Sequence, residues 1–221
     1  QKFSNLCEVI LRSKGKIITL GVGKSGHIAQ KISVTLSSTG SPSYFIHATE
    51  ALHGDIGVIS KNDSVLIFSH SGESKEIIDL FPSLKNIGCK IFSFTGPTES
   101  TIAKNTDINI STEVDKEACP LDLAPTSSTT AALALGDALA IALLESRKFS
   151  PQDFAKSHPG GRLGKKLTLK VEDIMSKGKD FPFVSPNTLL SKALVEISNK
   201  GLGIVAVVDK KKLTGVFTDG D

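Results

Sequence analysis

Between Lys16 and about Ser146, short apolar runs rich in β-branched residues alternate with stretches of helical character. The runs that predict strands are Lys16–Leu20, Ser43–Ile46, Ser64–Phe68, Lys90–Phe94 and Asp107–Ile110. Most are apolar on both faces, which is typical of strands buried in a parallel sheet. The predicted helices between them are His27–Ser38, Lys75–Asn86 and Ser100–Asn105. This alternation predicts βαβ units with right-handed crossovers, and therefore a three-layer α/β domain around a five-stranded parallel sheet.

The composition is that of an ordered globular chain. Hydrophobic residues make up 39% of the 221 residues, enough to offset the entropy lost on folding. At about 150 residues per domain, this length predicts about one and a half domains. Aromatic residues make up only 5%, which disfavours base-stacking modules, and the net charge of +3 is too small to favour a nucleic acid or a membrane surface. We therefore expect neither as a partner.

The cysteine pattern bears on the compartment. Cys7, Cys89 and Cys119 are far apart and odd in number, which favours neither a disulfide scaffold nor a structural zinc site. We expect small, mostly buried thiols in a reducing, cytoplasmic setting. No targeting segment is visible, and the most apolar stretch, Ala131–Leu144, is interrupted by a glycine and an aspartate and is too short to cross a bilayer.

A glycine-rich turn, Gly21–Gly26 (GVGKSG), follows the first predicted strand and matches the G-x-G-x-x-G pattern. A dinucleotide site would also need an acidic residue at the end of the second strand, and that strand ends in His47. A P-loop would need its first glycine where Ile18 stands. We therefore interpret the glycines as a turn that lets strand and helix pack closely.

Hydroxyl residues surround two predicted helix starts. Ser69–Ser74 (SHSGES) follows the third strand, and its serines and backbone N–H groups suit a phosphate dianion. Thr126–Thr130 places five consecutive hydroxyl residues behind Pro125. Each segment alone could simply cap a helix. Two such starts beside a glycine turn in one parallel sheet favour a phosphorylated ligand.

At these residues the sequence resembles a known family. The Ser69–Ser74 loop is similar to the phosphate loop of sugar isomerase (SIS) domains, which bind phosphosugars on a flavodoxin-like five-stranded sheet. Four longer segments resemble the arabinose-5-phosphate isomerase family: Gly21–Ala29 (GVGKSGHIA), His47–Asp55 (HATEALHGD), Lys116–Thr130 (KEACPLDLAPTSSTT) and Ser157–Gly164 (SHPGGRLG). The resemblance spans nearly the whole chain. Three positions depart from the family pattern: Ala48, His70 and Asp122, where Pro, Asn and Gly are common.

After residue 150 the composition changes to a turn-rich, basic connector. Beyond it the sequence predicts a helix near Leu189–Asn199 and strands at Ile204–Val208 and Leu213–Phe217. This segment resembles the first of two cystathionine-β-synthase (CBS) repeats that follow the isomerase domain in the family. We predict a SIS domain over 1–164 and a basic linker with a partial CBS repeat over 165–221. We expect further chain beyond both ends.

The resemblance implies an aldose–ketose isomerase that interconverts D-ribulose 5-phosphate and D-arabinose 5-phosphate through an enediolate. That reaction supplies a precursor of the lipopolysaccharide sugar KDO. It needs one base to move a proton between neighbouring carbons and a second group to move a hydroxyl proton, tasks that suit Glu and His. No cofactor is required, which agrees with the failed dinucleotide pattern.

Five candidate side chains lie in loops or helix starts: Lys24, His53, Glu76, Glu117 and His158. On position alone, a solvated charge competes with a catalytic role at each of them. The resemblance implies catalysis by Lys24, Glu76, Glu117 and His158. It implies substrate contacts at Gly40, Ser41, His47, His53, Ser69, Ser71, Ser74, Thr126 and Ser127. We expect Glu117 to be the carbon base, His158 or His53 to shuttle the hydroxyl proton or open the ring, and Lys24 and Glu76 to orient and stabilise charge.

The metal prediction centres on His47, the position that the family links to zinc, which we expect to be inhibitory. His53 and His70 could join it, although no tight ligand spacing such as H-E-x-x-H is present. The resemblance also implies a homotetramer whose sites borrow residues from neighbouring subunits. It further implies a nucleotide-type ligand for the CBS repeats.

Two alternatives stay open. One is an isomerase of another phosphosugar, such as a heptose or hexulose phosphate, with the same fold and chemistry. The other is a phosphosugar sensor that binds without turnover. A sensor would not need acid–base groups in several separate loops, so turnover of ribulose 5-phosphate discriminates between sensor and enzyme.

Overall fold

The structure, a computed structural model, describes residues 1–158, 166–167 and 169–221, in two compact units, Gln1–Thr168 and Leu169–Asp221. The first unit contains the predicted sheet. Its strands are β1 (Ile17–Gly21), β2 (Ser43–His47), β3 (Ser64–Ser69), β4 (Lys90–Thr95) and β5 (Ile108–Ser111). They pair in parallel in the order β2-β1-β3-β4-β5. This is the predicted flavodoxin-like sheet. The predicted boundary between 164 and 165 lies outside the described residues.

Helices cover both faces of the sheet. In chain order they are α1 (Lys2–Arg12), α2 (Gly23–Ser38), α3 (Ala48–Leu52), α4 (Lys75–Ile78), α5 (Phe81–Ile87), α6 (Thr101–Lys104), α7 (Ser127–Ser146) and α8 (Pro151–Ser157). The prediction of one helix over Lys75–Asn86 is wrong, because α4 and α5 are separate. Pro82 explains the break: proline lacks an N–H and fits only the first turn of a helix, so a new helix begins beside it.

Successive side chains of the strands enter two different cores. Val65 and Ile67 of β3 pack in one cluster with α3, α4 and α5, while Leu66 and Phe68 pack in the other with α1, α2 and α7. The Phe68 ring meets that of Phe94 edge to face, with centroids 5.2 Å apart. Because both faces of each central strand are buried, apolar side chains stand on both faces, as the sequence predicted.

Helix α7 corrects one expectation. The apolar stretch was predicted to be too short to span a bilayer, but the helix that contains it has 20 residues and is long and apolar enough by length and composition. It is the single such helix among the described residues. Three of its side chains, Leu139, Ala140 and Leu143, are buried in the sheet-facing core. At Gly136 an added Cβ would come within 2.5 Å of Ile32 on α2, so α7 packs closely as a core helix does.

An ion pair between the half-buried Lys16 and the buried Asp63 joins the starts of two strands at the amino edge of the sheet. The Asp63 carboxylate accepts from Lys16 Nζ at 2.8 Å, from the Lys16 N–H at 2.9 Å and from the Ser60 N–H at 2.7 Å. Its side chain is only 2% exposed. Burial by itself raises the pKa of Asp63, but the hydrogen bonds from Lys16 and Ser60 outweigh it and leave the pKa below its ordinary value.

We expect Asp63→Asn to lower the free energy of unfolding at pH 7 by about 1–3 kcal/mol, because it leaves Lys16 and Ser60 donors unsatisfied. Since the folded-state pKa is below the unfolded value of about 3.9, the stabilisation is present above about pH 4 and is lost as pH falls through the folded pKa. Urea unfolding should therefore show a difference from wild type that shrinks in acid. A difference independent of pH would contradict this. In the control Glu8→Gln, at an exposed pair with Arg12, we expect a change within about 0.5 kcal/mol.

The second unit is a small three-stranded sheet with two helices. Its elements are α9 (Val171–Ile174), β6 (Phe183–Val184), α10 (Leu190–Lys200), β7 (Ile204–Asp209) and β8 (Lys212–Thr218). The sheet order is β6-β7-β8. Lys210 and Lys211 both have positive φ, 45° and 67°, as a two-residue type I′ hairpin requires. The unit buries few large apolar side chains and leaves many exposed: Val171, Ile174, Met175, Leu189, Leu190, Val195, Leu213 and Val216.

Candidate functional site

A narrow cavity lies at the carboxyl ends of the parallel strands. Its lining comes from the start of α2, the end of β3 with its following loop, and the start of α7, together with Phe94 of β4 and Thr112 after β5. Its lining includes Ser25, Ser69, His70, Ser128 and Thr129. The cavity measures about 10 Å³, room for no more than one water molecule. A phosphosugar would therefore lie at the mouth of this cavity, over the sheet edge where such folds bind ligands.

The loop Ser69–Ser74 holds its own shape. Ser69 Oγ accepts from the Gly72 N–H at 3.2 Å and lies 3.0 Å from Ser74 Oγ, while Ser71 Oγ accepts from the Glu73 N–H at 3.2 Å. Gly72 has a φ of 67°, in the left-handed region. Helix α4 behind the loop has only four residues, so its dipole is small. Anion binding here would have to come from the hydroxyl and N–H groups of the loop itself.

Gly72→Ala should damage this loop beyond the cost of its backbone angle, because an added Cβ would overlap the Ser100 side chain at the start of α6. We expect KM for the phosphorylated substrate to rise at least about tenfold, since a displacement of about 1 Å at a binding group is costly. The control is Gly88→Ala. Gly88 also has positive φ, 76°, but its nearest neighbour lies at 3.9 Å, so we expect a loss of stability of about 1 kcal/mol and an unchanged KM. Equal KM values for the two variants would contradict the prediction.

The glycine-rich turn packs as predicted. An added Cβ at Gly21 would come within 3.0 Å of Gly26 Cα, so strand β1 and helix α2 approach through two glycines. The helix begins at Gly23, four residues before the predicted start at His27. Lys24 and Ser25 therefore lie in its first turn, at the carboxyl edge of β1. Lys24 is exposed and forms no ion pair with any described residue.

Glu117 is fixed at the N-terminus of α7. Its Oε2 accepts from the N–H and hydroxyl of Thr126, at 2.7 and 3.0 Å, and from the Ser128 N–H at 3.2 Å. Its Oε1 accepts from the Ser128 hydroxyl. The Ser128 hydroxyl and the Thr126 N–H lower the pKa of Glu117 to about 2. Glu117 is therefore a carboxylate at neutral pH, and the same hydrogen bonds weaken it as a base.

Asp122 supports the same loop from the other side. Its Oδ1 accepts from the Glu117 N–H at 2.6 Å, and its φ is 53°. This positive φ lies in the left-handed region, which explains why Gly is common at this position in the family. Asp is one of the residues that tolerate that backbone conformation. The departure from the family pattern thus adds a hydrogen bond to the Glu117 backbone.

Other predicted residues lie at the same sheet edge without a shared contact. His47 ends β2 beside Gly21 and is half-buried, His53 caps α3 and is exposed, and Glu76 is exposed on α4. His70 is exposed, and its ring lies over Gly96. Among the described residues, no three His, Cys, Asp or Glu side chains come together as a metal site would require. The zinc predicted at His47 therefore remains a prediction.

Gly40, Ser41 and His158 lie elsewhere in this chain. Ser41 precedes β2, at the amino edge, where its Oγ accepts from Arg147 Nε at 3.1 Å, and an added Cβ at Gly40 would overlap the Phe149 ring. Arg147 follows the 20 residues of α7, so about 30 Å of helix separates it from Ser128. His158 follows still later, stacked on Phe154 with ring centroids 3.9 Å apart. The structure does not bring these three residues to Glu117 within one chain.

The sequence analysis missed Ser25 and Ser128. It selected Thr126 and Ser127 from the hydroxyl run, whereas Ser128 is the buried member that faces the cavity and Glu117. Ser127 forms no side-chain hydrogen bond to a described residue, and the Thr126 groups are occupied by Glu117. The run offered a signal for a helix start but no way to rank its members, because their burial depends on how α7 packs.

A parallel sheet of this order, with a serine loop and a held carboxylate at its carboxyl edge, defines the SIS class of proteins. The sequence model of the SIS domain matches residues 10–142, and that of the CBS domain matches residues 171–221. The chain belongs to the arabinose 5-phosphate isomerase family.

The relatives that carry this assignment match along the whole chain. Arabinose 5-phosphate isomerase KdsD of Pseudomonas aeruginosa is 54% identical over 220 residues, which is 99% of this chain and 68% of the relative. KdsD of Escherichia coli strain K12 is 49% identical over 222 residues, all of this chain and 68% of the relative. A solved structure, that of the E. coli CFT073 protein c3406 in complex with arabinose 5-phosphate, has a TM-score of 0.70 and 46% identity over 72% of this chain and 84% of its own.

Proposed function

We propose that this chain is an aldose–ketose isomerase that interconverts D-ribulose 5-phosphate and D-arabinose 5-phosphate. The observation that carries the proposal is that one cavity at the carboxyl edge of the sheet is lined by Ser69 and His70 of the serine loop and by Ser128, whose hydroxyl donates to the Glu117 carboxylate. The loop suits the phosphate, and the carboxylate is ionised at neutral pH and held in a fixed position, so it can receive a proton. Membership of the family points to arabinose 5-phosphate as the sugar, since relatives of about 50% identity are named arabinose 5-phosphate isomerases.

The chemistry requires only proton movement. In the aldose-to-ketose direction, Glu117 takes the C2 proton, the C–H electron pair forms the C1=C2 bond, and the carbonyl oxygen O1 gains the charge. A proton passes from O2 to O1, and Glu117 then returns its proton to C1, which gives the ketose. Atoms and electrons balance without an external oxidant, so the reaction needs no redox cofactor. A zinc ion at His47 would not contribute to this path.

The remaining side chains have supporting roles. Lys24, exposed at the start of α2, would stabilise the enediolate charge, and Glu76 would orient the sugar hydroxyls. Substrate contacts from His47, His53, Ser69, Ser71 and Ser74 complete the set at this edge. Thr126 and Ser127 would contribute through the start of α7, where Thr126 already holds Glu117.

His158 is the proposed shuttle for the hydroxyl proton. Its Nδ1 lies 2.9 Å from the Phe154 carbonyl oxygen, which can only accept, so Nδ1 carries the proton and Nε2 carries the lone pair that can accept one. Because His158, Gly40 and Ser41 lie away from Glu117 in this chain, we propose that they reach the site of a neighbouring copy in a homotetramer.

Three further proposals concern the setting of the enzyme. We place it in the cytoplasm, where its product would supply the precursor of the lipopolysaccharide sugar KDO. The three cysteines are free, which suits a reducing compartment. A nucleotide-type ligand for the CBS repeats is proposed from the family resemblance, and residues 171–221 match the CBS domain.

The deciding experiment is incubation of the protein with ribulose 5-phosphate in deuterated water, followed by NMR. New arabinose 5-phosphate with deuterium at C2 supports the proposal, because the base exchanges its proton with solvent before returning it. Turnover of a heptose or hexulose phosphate instead would mean a different substrate. Saturable binding of ribulose 5-phosphate without turnover would favour the sensor and overturn the proposal.

A further inference from the structure

We infer that Ser128 is a positioning residue for Glu117, and that Oε1 of Glu117 is the atom that takes the proton from the substrate. The inference rests on the proposed function, since it assumes that Glu117 is the carbon base. Ser128 lies outside the set of residues that the family resemblance implied, and it was identified from the contacts of the carboxylate.

The two oxygens of Glu117 have different numbers of partners. Oε2 accepts three hydrogen bonds, from the Thr126 N–H, the Thr126 hydroxyl and the Ser128 N–H. Oε1 accepts one, from the Ser128 hydroxyl. A carboxylate oxygen offers about two lone-pair positions, so Oε2 is saturated and Oε1 keeps one free. A substrate proton can therefore be taken at Oε1 without breaking the existing bonds.

Among the residues that the structure describes, only Ser128 donates to both oxygens of Glu117: its N–H donates to Oε2 and its hydroxyl to Oε1. Two bonds from one residue fix the plane of the carboxylate as well as its position. The Ser128 side chain is buried, because the residue is only 2% exposed, and it faces the cavity that Ser69 also lines. Its backbone belongs to α7, a long helix packed on α2, so the donor groups are rigidly placed.

This arrangement also gives the two hydroxyl-rich helix starts different roles. The start of α7 already binds an anion, the carboxylate of Glu117, and its nearest N–H and hydroxyl donors are occupied. A phosphate there would have to displace the base. The start of α7 thus holds the base, and the phosphate is assigned to the loop Ser69–Ser74, as the resemblance to the SIS phosphate loop implies.

The test compares Ser128→Ala with Thr130→Ala in the full chain. Both remove one hydroxyl near the start of α7, but the exposed Thr130 hydroxyl donates only to the Thr126 carbonyl. We expect Ser128→Ala to lower kcat about 10–100-fold with KM within about twofold, because the base is misoriented while the phosphate loop is intact. Thr130→Ala should match wild type in both constants. Ser128→Thr, which keeps the hydroxyl, should recover most of kcat.

A second measurement excludes a merely structural role. In a Glu117→Gln background, Ser128→Ala should lower kcat by no more than about twofold further, since the two residues act as one unit. An undiminished further loss in that background would overturn the inference, as would a kcat for Ser128→Ala equal to or above wild type. If the wild-type chain itself fails to isomerise ribulose 5-phosphate, the proposed function fails instead, so the two failures are distinguishable.

Discussion

Glu117→Gln is expected to lower kcat for ribulose 5-phosphate by about 10²–10⁴-fold, the range that a positioned general base contributes. The amide that replaces the carboxylate cannot take a proton from carbon. Its remaining oxygen, in the place of Oε2, can still accept hydrogen bonds from the Thr126 and Ser128 N–H groups, so the start of α7 should keep its fold. Steady-state kinetics and solvent deuterium exchange at C2 of the sugar measure the effect.

The matched control is Glu113→Gln, an exposed carboxylate in the same loop. It loses the same charge, so a general electrostatic effect on the anionic substrate would appear in both variants. We expect kcat and KM of Glu113→Gln to stay near wild type. Near-wild-type C2 exchange by Glu117→Gln would rule out Glu117 as the carbon base, whatever the control shows.

Two inactive variants are expected to restore activity when they are assembled together. If Glu117 and His158 of one site come from different subunits, chains carrying Glu117→Gln and chains carrying His158→Asn can form sites that contain both wild-type residues. If equal amounts of the two chains assemble at random, about one quarter of the sites contain both wild-type residues. Co-expression should therefore recover about a quarter of wild-type activity. That is a large gain over either variant alone.

The control for this experiment pairs Glu117→Gln with Lys24→Met. Both side chains lie at the carboxyl edge of the same chain, so every mixed site lacks one of them. We expect no recovery from this mixture. No recovery from the Glu117 and His158 pair either, in assemblies shown to be mixed by mass spectrometry, would contradict the shared site.

Much of the fold was predictable because the signals are local. Each predicted strand of the sheet lies within one residue of the observed one, since β-branched runs such as Ser64–Phe68 contain their own preference for extended backbone. Helix ends were harder. The start of α2 moved from His27 to Gly23, because the glycine turn merges into the helix, and Pro82 divided the next predicted helix in two.

The candidate site was likewise predictable where its signals are local and unpredictable where packing decides. The loops after the strands could be found from the sequence, because parallel strands bring their carboxyl ends to one edge whatever their order. The sequence could not predict which hydroxyl of Thr126–Thr130 faces the site, because that depends on the rotation of α7 against the sheet. The acid strength of Glu117 was equally hidden, because its donors lie 9 and 11 residues away in the chain.

The sequence by itself determined the class of the molecule: an α/β sheet, a serine loop, a glycine turn and a candidate carboxylate in the loop before α7. These depend on residue type and on short-range spacing. The tertiary structure alone decided that Ser128 clamps Glu117, and that Gly40, Ser41 and His158 lie apart from it. The physical reason is the length of α7, which begins at the site and ends at the opposite edge of the sheet, where no local pattern could place the residues that follow.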